Sequence, residues 1–195
     1  MIAVADPDRF SIVTIFGART PAPAWETMFG WPAAGRDSVP LDIRSAADRK
    51  IWAARLDQAV READRAVLLV ADGIGCMASA WWARLSPADY VSRIAGAVMI
   101  APDQAIADGA GMFDSPHVRL PFPSLVIQPG AGASAGLHAT VADWGSRLVI
   151  SDRQRHRPQG TGAVAWRQAQ RLFLRLTEQV VEHDVGRAHR LAGRP

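Results

Sequence analysis

The segment with most chemical content is Ala66–Ala80, which reads AVLLVADGIGCMASA. An apolar run, Ala66–Ala71, enters a helix-like stretch through small-x-Gly-x-Gly, namely Ala71, Asp72, Gly73, Ile74 and Gly75. Small residues at both ends let a strand and the following helix approach closely. The central residue is then forced into a strained backbone and lifts its side chain over the helix N-terminus, the geometry of a nucleophile elbow. Here the centre is Gly73, which has no side chain and cannot attack anything. Glycine also relieves the strain, worth on the order of 1–3 kcal/mol for another residue held at positive φ.

Three other readings of this segment compete. A dinucleotide fingerprint would need G-x-G-x-x-G and an acidic residue at the end of the next strand. That strand ends Met99-Ile-Ala-Pro102, so a dinucleotide is not expected. Asp72 is a carboxylate beside the turn, but with Gly75 closing the motif the nucleophile slot is 73 and Asp72 is expected to point away from the pocket. Cys76 lies near the helix N-terminus, which lowers a thiol pKa; the simpler reading is a small buried side chain packed under the sheet.

The elements that must position this turn follow from hydrophobic patterning. Ser11–Phe16, Ala66–Ala71, Gly96–Ala101, Ser124–Gln128 and Arg147–Ser151 are short, continuously apolar runs, the pattern of strands covered on both faces. Helix-period segments separate them: Ala46–Ala63, with Ile51, Ala54, Leu56, Ala59 and Val60 as its apolar stripe, then Gly75–Leu85, Ser134–Trp144 and Ala163–His183. The alternation predicts an α/β fold, a mostly parallel sheet of five or six strands with helices on both faces and its ligand edge at the strand C-termini. Thr20–Arg44 and Pro102–Phe122 have no clear period and are expected as loops over that edge. Of the adjacent Trp81 and Trp82, one is expected in the core and the other against a partner or a pocket lid.

Length and composition agree with one domain over residues 1–195, with 185–195 a basic, partly disordered tail. The chain has 195 residues, 49% hydrophobic and 21% charged, which excludes a disordered or cysteine-stapled protein. Such a domain buries roughly 70% of its unfolded surface and folds without a metal. Cys76 is the single cysteine, consistent with a reducing, cytoplasmic compartment. No signal peptide is visible, and no apolar run approaches the ~20 residues of a membrane span.

Of 22 basic residues only Lys50 is a lysine, and the arginines are dense from Arg147 onward. Arg167, Arg171 and Arg175 share a helix face, read as a solvated face opposite Leu172 and Leu176 rather than a nucleic-acid surface. His117, His138, His183 and His189 are scattered, so neither a metal nor another cofactor is expected.

Several segments together resemble a known family. They are Val13–Gly17 with Trp25-Glu-Thr27, Leu69–Cys76, Gly96–Pro102, Leu120–Ile127 and Trp144–Leu148. In order, from residue 11 to about 176, they are similar to the small serine hydrolases related to retinoblastoma-binding protein 9, a branch of the α/β-hydrolases. The resemblance implies a Ser-His-Asp triad. Its serine falls on Gly73, and the histidine that usually precedes the serine falls on Asp72. Its acid falls near Gly132, within Gln128–Ser134, which contains no carboxylate. Its histidine falls on His156, which is retained between Arg155 and Arg157. The implied oxyanion donors are the backbone N–H of Ile74 and one from the loop after the first strand, around Gly17 and Ala18.

A triad without serine has no acyl acceptor, and an imidazole without its acid loses its orienting partner. The expectation is a catalytically degenerate family member that binds a protein partner or a small acyl or anionic ligand, Arg155 helping with the charge. The alternative is serine-independent chemistry using His156, with Asp72 or Asp152. The oligomeric state is left open.

Overall fold

The computed structural model describes residues 10–17, 36–107, 111, 113, 118–130 and 132–151. Six strands form one all-parallel sheet: β1 (Ser11–Ile15), β2 (Arg36–Ser38), β3 (Val67–Asp72), β4 (Ile94–Ile100), β5 (Ser124–Pro129) and β6 (Arg147–Ser151). Their order across the sheet is β2-β1-β3-β4-β5-β6. The helices are α1 (Ala46–Glu62), α2 (Ile74–Leu85), α3 (Ala88–Val91), α4 (Asp103–Ala107) and α5 (Ala135–Trp144).

Local chemistry sets the helix ends. Ser45 caps α1 by accepting from the Asp48 N–H at 3.2 Å, while its hydroxyl donates to the Asp48 carboxylate at 2.8 Å. That hydroxyl, with the Arg44 N–H, holds the Asp48 carboxyl below its ordinary range. Ser134 caps α5 in the same way, accepting from the Leu137 N–H at 3.0 Å. Gly145 closes α5 in the left-handed conformation at φ 64°, so the chain turns directly into β6.

The two faces of the sheet follow strand parity. Val13, Ile15, Leu69, Ala71, Met99 and Val126 face one core with Trp52, Leu56 and Val60 of α1, almost all of α2, and Leu137, Val141 and Trp144 of α5. Ile12, Leu68, Val70, Val98 and Leu125 form a second buried cluster, joined by Phe10, Ile100, Ile127 and Val149. The helix expected over 163–183 and the expected basic tail over 185–195 lie outside the described residues.

Two expectations need correction. The inward stripe of α1 is Trp52, Leu56 and Val60, spaced i, i+4, i+8. Ile51, placed on that stripe from the sequence, is 55% exposed, and Ala54 is exposed too, because a helix turns about 100° per residue and 51 falls on the flank beside 52. Second, the proline-rich stretch 20–44 contains a strand. β2 is three polar residues without an apolar run, and its pairing with Ile12–Thr14 is what makes it a strand. The short helices α3 and α4 were equally without a sequence period.

Candidate functional site

The chain reverses its direction across the sheet at β1: β2 lies on one side, β3 and all later strands on the other. The C-terminal ends of β1 and β3 therefore sit together, Ile15 opposite Ala71, at the position where doubly wound sheets open a crevice. Beside them the β1 end is tied outward, Leu41 N–H to Phe16 C=O at 2.8 Å, with Gly17 bridged to Leu41.

β3 turns into α2 through one residue, Gly73, at φ 53° and ψ −119°. Its N–H donates to the Ile100 carbonyl of β4 at 2.9 Å, and its carbonyl accepts from the Cys76 N–H at 3.1 Å. A Cβ built at Gly73 would have no atom within 4 Å, so the place of a side chain is open space. At Gly75 the opposite holds: a Cβ would lie 2.4 Å from the Ile15 carbonyl oxygen. Gly75 thus lets α2 start hard against β1, which fixes the turn. Ile74, 36% exposed, begins the helix, and its N–H has no acceptor within α2.

The neighbours of the turn divide clearly. Asp72, at the tip of β3, is half-buried; burial pushes its carboxyl up from the ordinary value, partly offset by the Gly73 N–H. Cys76 is fully buried, its thiol donating to the carbonyls of Ala71 at 3.5 Å and Ile100 at 3.4 Å. Burial first, and the charge of Asp72 second, raise the thiol well above its ordinary range. Cys76 is a packing residue, as its small size suggested.

The second turn at this edge joins β5 to α5. Gly130 has φ 112°, whereas Gly132 is not in the left-handed region and a Cβ there would meet nothing within 4 Å. No carboxylate comes from this loop, but one reaches it from the first residue of α4. The Asp103 carboxylate accepts from the Ser134 N–H at 3.3 Å and from the Ser134 hydroxyl. Ala101, just before it, holds φ 49°, a strained value for a residue with a side chain, and its N–H donates to the Ile127 carbonyl at 2.9 Å. Sequence reading missed Asp103, whose only local signal is an acidic residue after Pro102, the usual start of a helix.

Both tryptophans of α2 are buried. Trp82 is 1% exposed and donates from its indole to Asp57 of α1 at 2.8 Å. Trp81 lies edge-on to Phe113 at 5.7 Å, and Trp52 does the same at 5.8 Å. Arg49 stacks 4.7 Å from the Trp81 ring. Trp81 and Trp82 both belong to the larger core, so the expectation that one of them faces a partner or a pocket lid is not met. Among the described residues no group of three His, Cys, Asp or Glu could hold a metal ion. Ala18, Arg155 and His156 lie outside the described residues.

A family model for serine hydrolases matches residues 22–175. The chain belongs to that family. Among solved structures, this serine hydrolase family member is similar to a YdeN-like hydrolase from Pectobacterium atrosepticum, with a TM-score of 0.63 and 16% identity over 88% of this chain and 92% of that one. It is also similar to YbtT, the type II thioesterase of the yersiniabactin NRPS/PKS pathway, with a TM-score of 0.52 and 15% identity over 88% and 94% of the two chains. At these identities the likeness establishes the α/β-hydrolase fold. No curated protein sequence matches the chain. No described helix is long and apolar enough to cross a membrane.

Proposed function

We propose that this serine hydrolase family member has lost the hydrolytic step and acts by binding, either a protein partner or a small acyl or anionic ligand held at the former reaction site. The observation that carries this reading is Gly73, a bare backbone with φ 53° at the one-residue turn between β3 and α2. An acyl group arriving there meets no attacking atom. The backbone donors of such a turn do not depend on the missing side chain. The N–H of Ile74 remains to polarise a carbonyl or hold an anion, with a second donor proposed near Ala18. Gly132, taken as the acid position, adds a second loss to the first, and His156 remains as the family histidine. A lone buried cysteine and no membrane-crossing helix among those described fit the cytoplasm as its compartment.

The test is direct. The purified protein should leave short p-nitrophenyl esters unhydrolysed and should not be labelled by a fluorophosphonate. Hydrolysis that disappears in His156→Ala would overturn the binding reading. It would support the second reading, in which His156 works without a serine. That reading is favoured by Asp72, a half-buried carboxyl held above its ordinary pKa beside the turn, a setting in which a carboxylic acid can serve as proton donor. Loss of the same hydrolysis in Asp72→Asn would mark that role.

A further inference from the structure

The sheet has two outer strands, and they are built differently. β2 is three residues, Arg36-Asp37-Ser38, with Asp37 and Ser38 exposed. A short, charged edge of this kind discourages another strand from pairing with it. β6, at the opposite end of the strand order, is five residues, Arg147–Ser151. β5 holds its inner edge along the whole length, from Leu125 opposite Arg147 to Pro129 opposite Ser151. The one charge of β6 is Arg147 at its first position, and Leu148, Val149 and Ile150 follow. Leu148 packs against the larger core and Val149 against the second cluster, whereas Ile150 is 43% exposed. Among the described residues no strand lies beyond β6, and the outer edge of such a strand carries a row of backbone N–H and C=O groups that can template another.

We propose that β6 is the contact between two copies of this chain, paired antiparallel about a two-fold axis at Val149, so that the two sheets join into one. The strand is its own complement in that register. Val149 stands opposite its copy, Leu148 opposite the partner's Ile150, and Arg147 opposite the partner's Ser151. Apolar positions therefore meet apolar positions on both faces, and no arginine is set against another, an arrangement that would repel. A two-fold contact requires this kind of self-complementarity, because one patch serves both subunits. Five residues of strand make a small contact beside the roughly 1,200 Å² at the low end of stable interfaces, so the dimer is a weak one that dilution separates. The contact is independent of the reading of Gly73.

Sedimentation velocity of the full chain across roughly 1–200 μM, the range of a weak contact, should show the mass rise from one chain to two. Ile150→Lys sets a charge on the edge opposite the partner's Leu148 and should weaken the dimer at least about tenfold. Ile51→Lys, at a still more exposed isoleucine on α1, should leave it unchanged. Cross-linking reads the register. In Val149→Cys the paired Cα atoms lie about 4.5–5.5 Å apart, within the span of a disulfide, and copper–phenanthroline should join the two copies. In Arg147→Cys the same atoms lie four residues apart along the strands, about 13 Å, and should stay unjoined. Cys76 is buried and takes no part. The cross-link carries the test alone should Ile150→Lys fail to fold by circular dichroism. A wild-type chain that stays monomeric over the whole range would overturn the proposal and leave the edge to a strand of another protein or to a further segment of this chain. So would a dimer that Ile150→Lys leaves intact or that Ile51→Lys breaks as readily, or one that cross-links through position 147 as readily as through 149.

Discussion

Two turns at the same sheet edge carry glycine, at Gly73 and at Gly132, and the fold treats them differently. At the β3–α2 turn, one residue joins strand to helix, Gly73 sits at φ 53°, and Gly75 touches β1 so closely that nothing larger fits. At the β5–α5 turn, Gly132 has an ordinary backbone and open space around it, and the loop is steadied from outside by Asp103. The first turn is dictated by the packing of Gly75 on β1, so its shape does not depend on a side chain at position 73. The second has no such packing, and the carboxylate at the start of α4 reaches it.

Substitutions at these glycines break that contrast or sharpen it. The largest effect is expected at Gly75→Ala, where the new methyl meets a backbone carbonyl rather than a movable side chain; it should lose about 3 kcal/mol, read by urea denaturation. A loss under about 1 kcal/mol would mean that α2 can shift away from β1. Next, Gly73→Ala has room but the wrong backbone, and it should lose about 1–2 kcal/mol in the same measurement. Gly73→Ser should behave alike and fold, presenting a hydroxyl that a fluorophosphonate can reach.

Asp72 gives a smaller, pH-dependent effect. Its folded carboxyl is held above the ordinary value of 3.8, so ionisation costs the folded chain something the unfolded chain escapes. That cost is absent below the ordinary value and grows as pH rises from it through the raised one. Asp72→Asn should therefore melt about 2 °C higher at pH 7, and the difference should vanish near pH 3. Equal melting at both pH values would place the carboxyl in water. Smallest of all, Gly132→Ala should change stability by less than about 0.5 kcal/mol.

Long-range packing explains what could be read from the chain and what could not. Ala66–Ala71 and Ser124–Gln128 announced themselves because a strand covered on both faces has no polar alternation, and Gly73 because a one-residue turn needs small neighbours at fixed offsets. β2 was invisible, since Arg36, Asp37 and Ser38 owe their strand to the backbone of β1. Ile51 was misplaced because it and Trp52 are adjacent apolar residues and only the core chooses between them. Asp103 escaped notice for the same reason: it serves a loop 31 residues away in sequence, and no local spacing records that.

The depth at which α2 is buried, Gly75 to Ala83 without interruption, has a last implication. This helix is the central pillar of the larger core, so deleting the bend that leads into it would unfold the protein whether or not any reaction occurred there. Architecture of this kind can be inherited long after the chemistry it once served, and resemblance in shape then testifies to the core rather than to turnover.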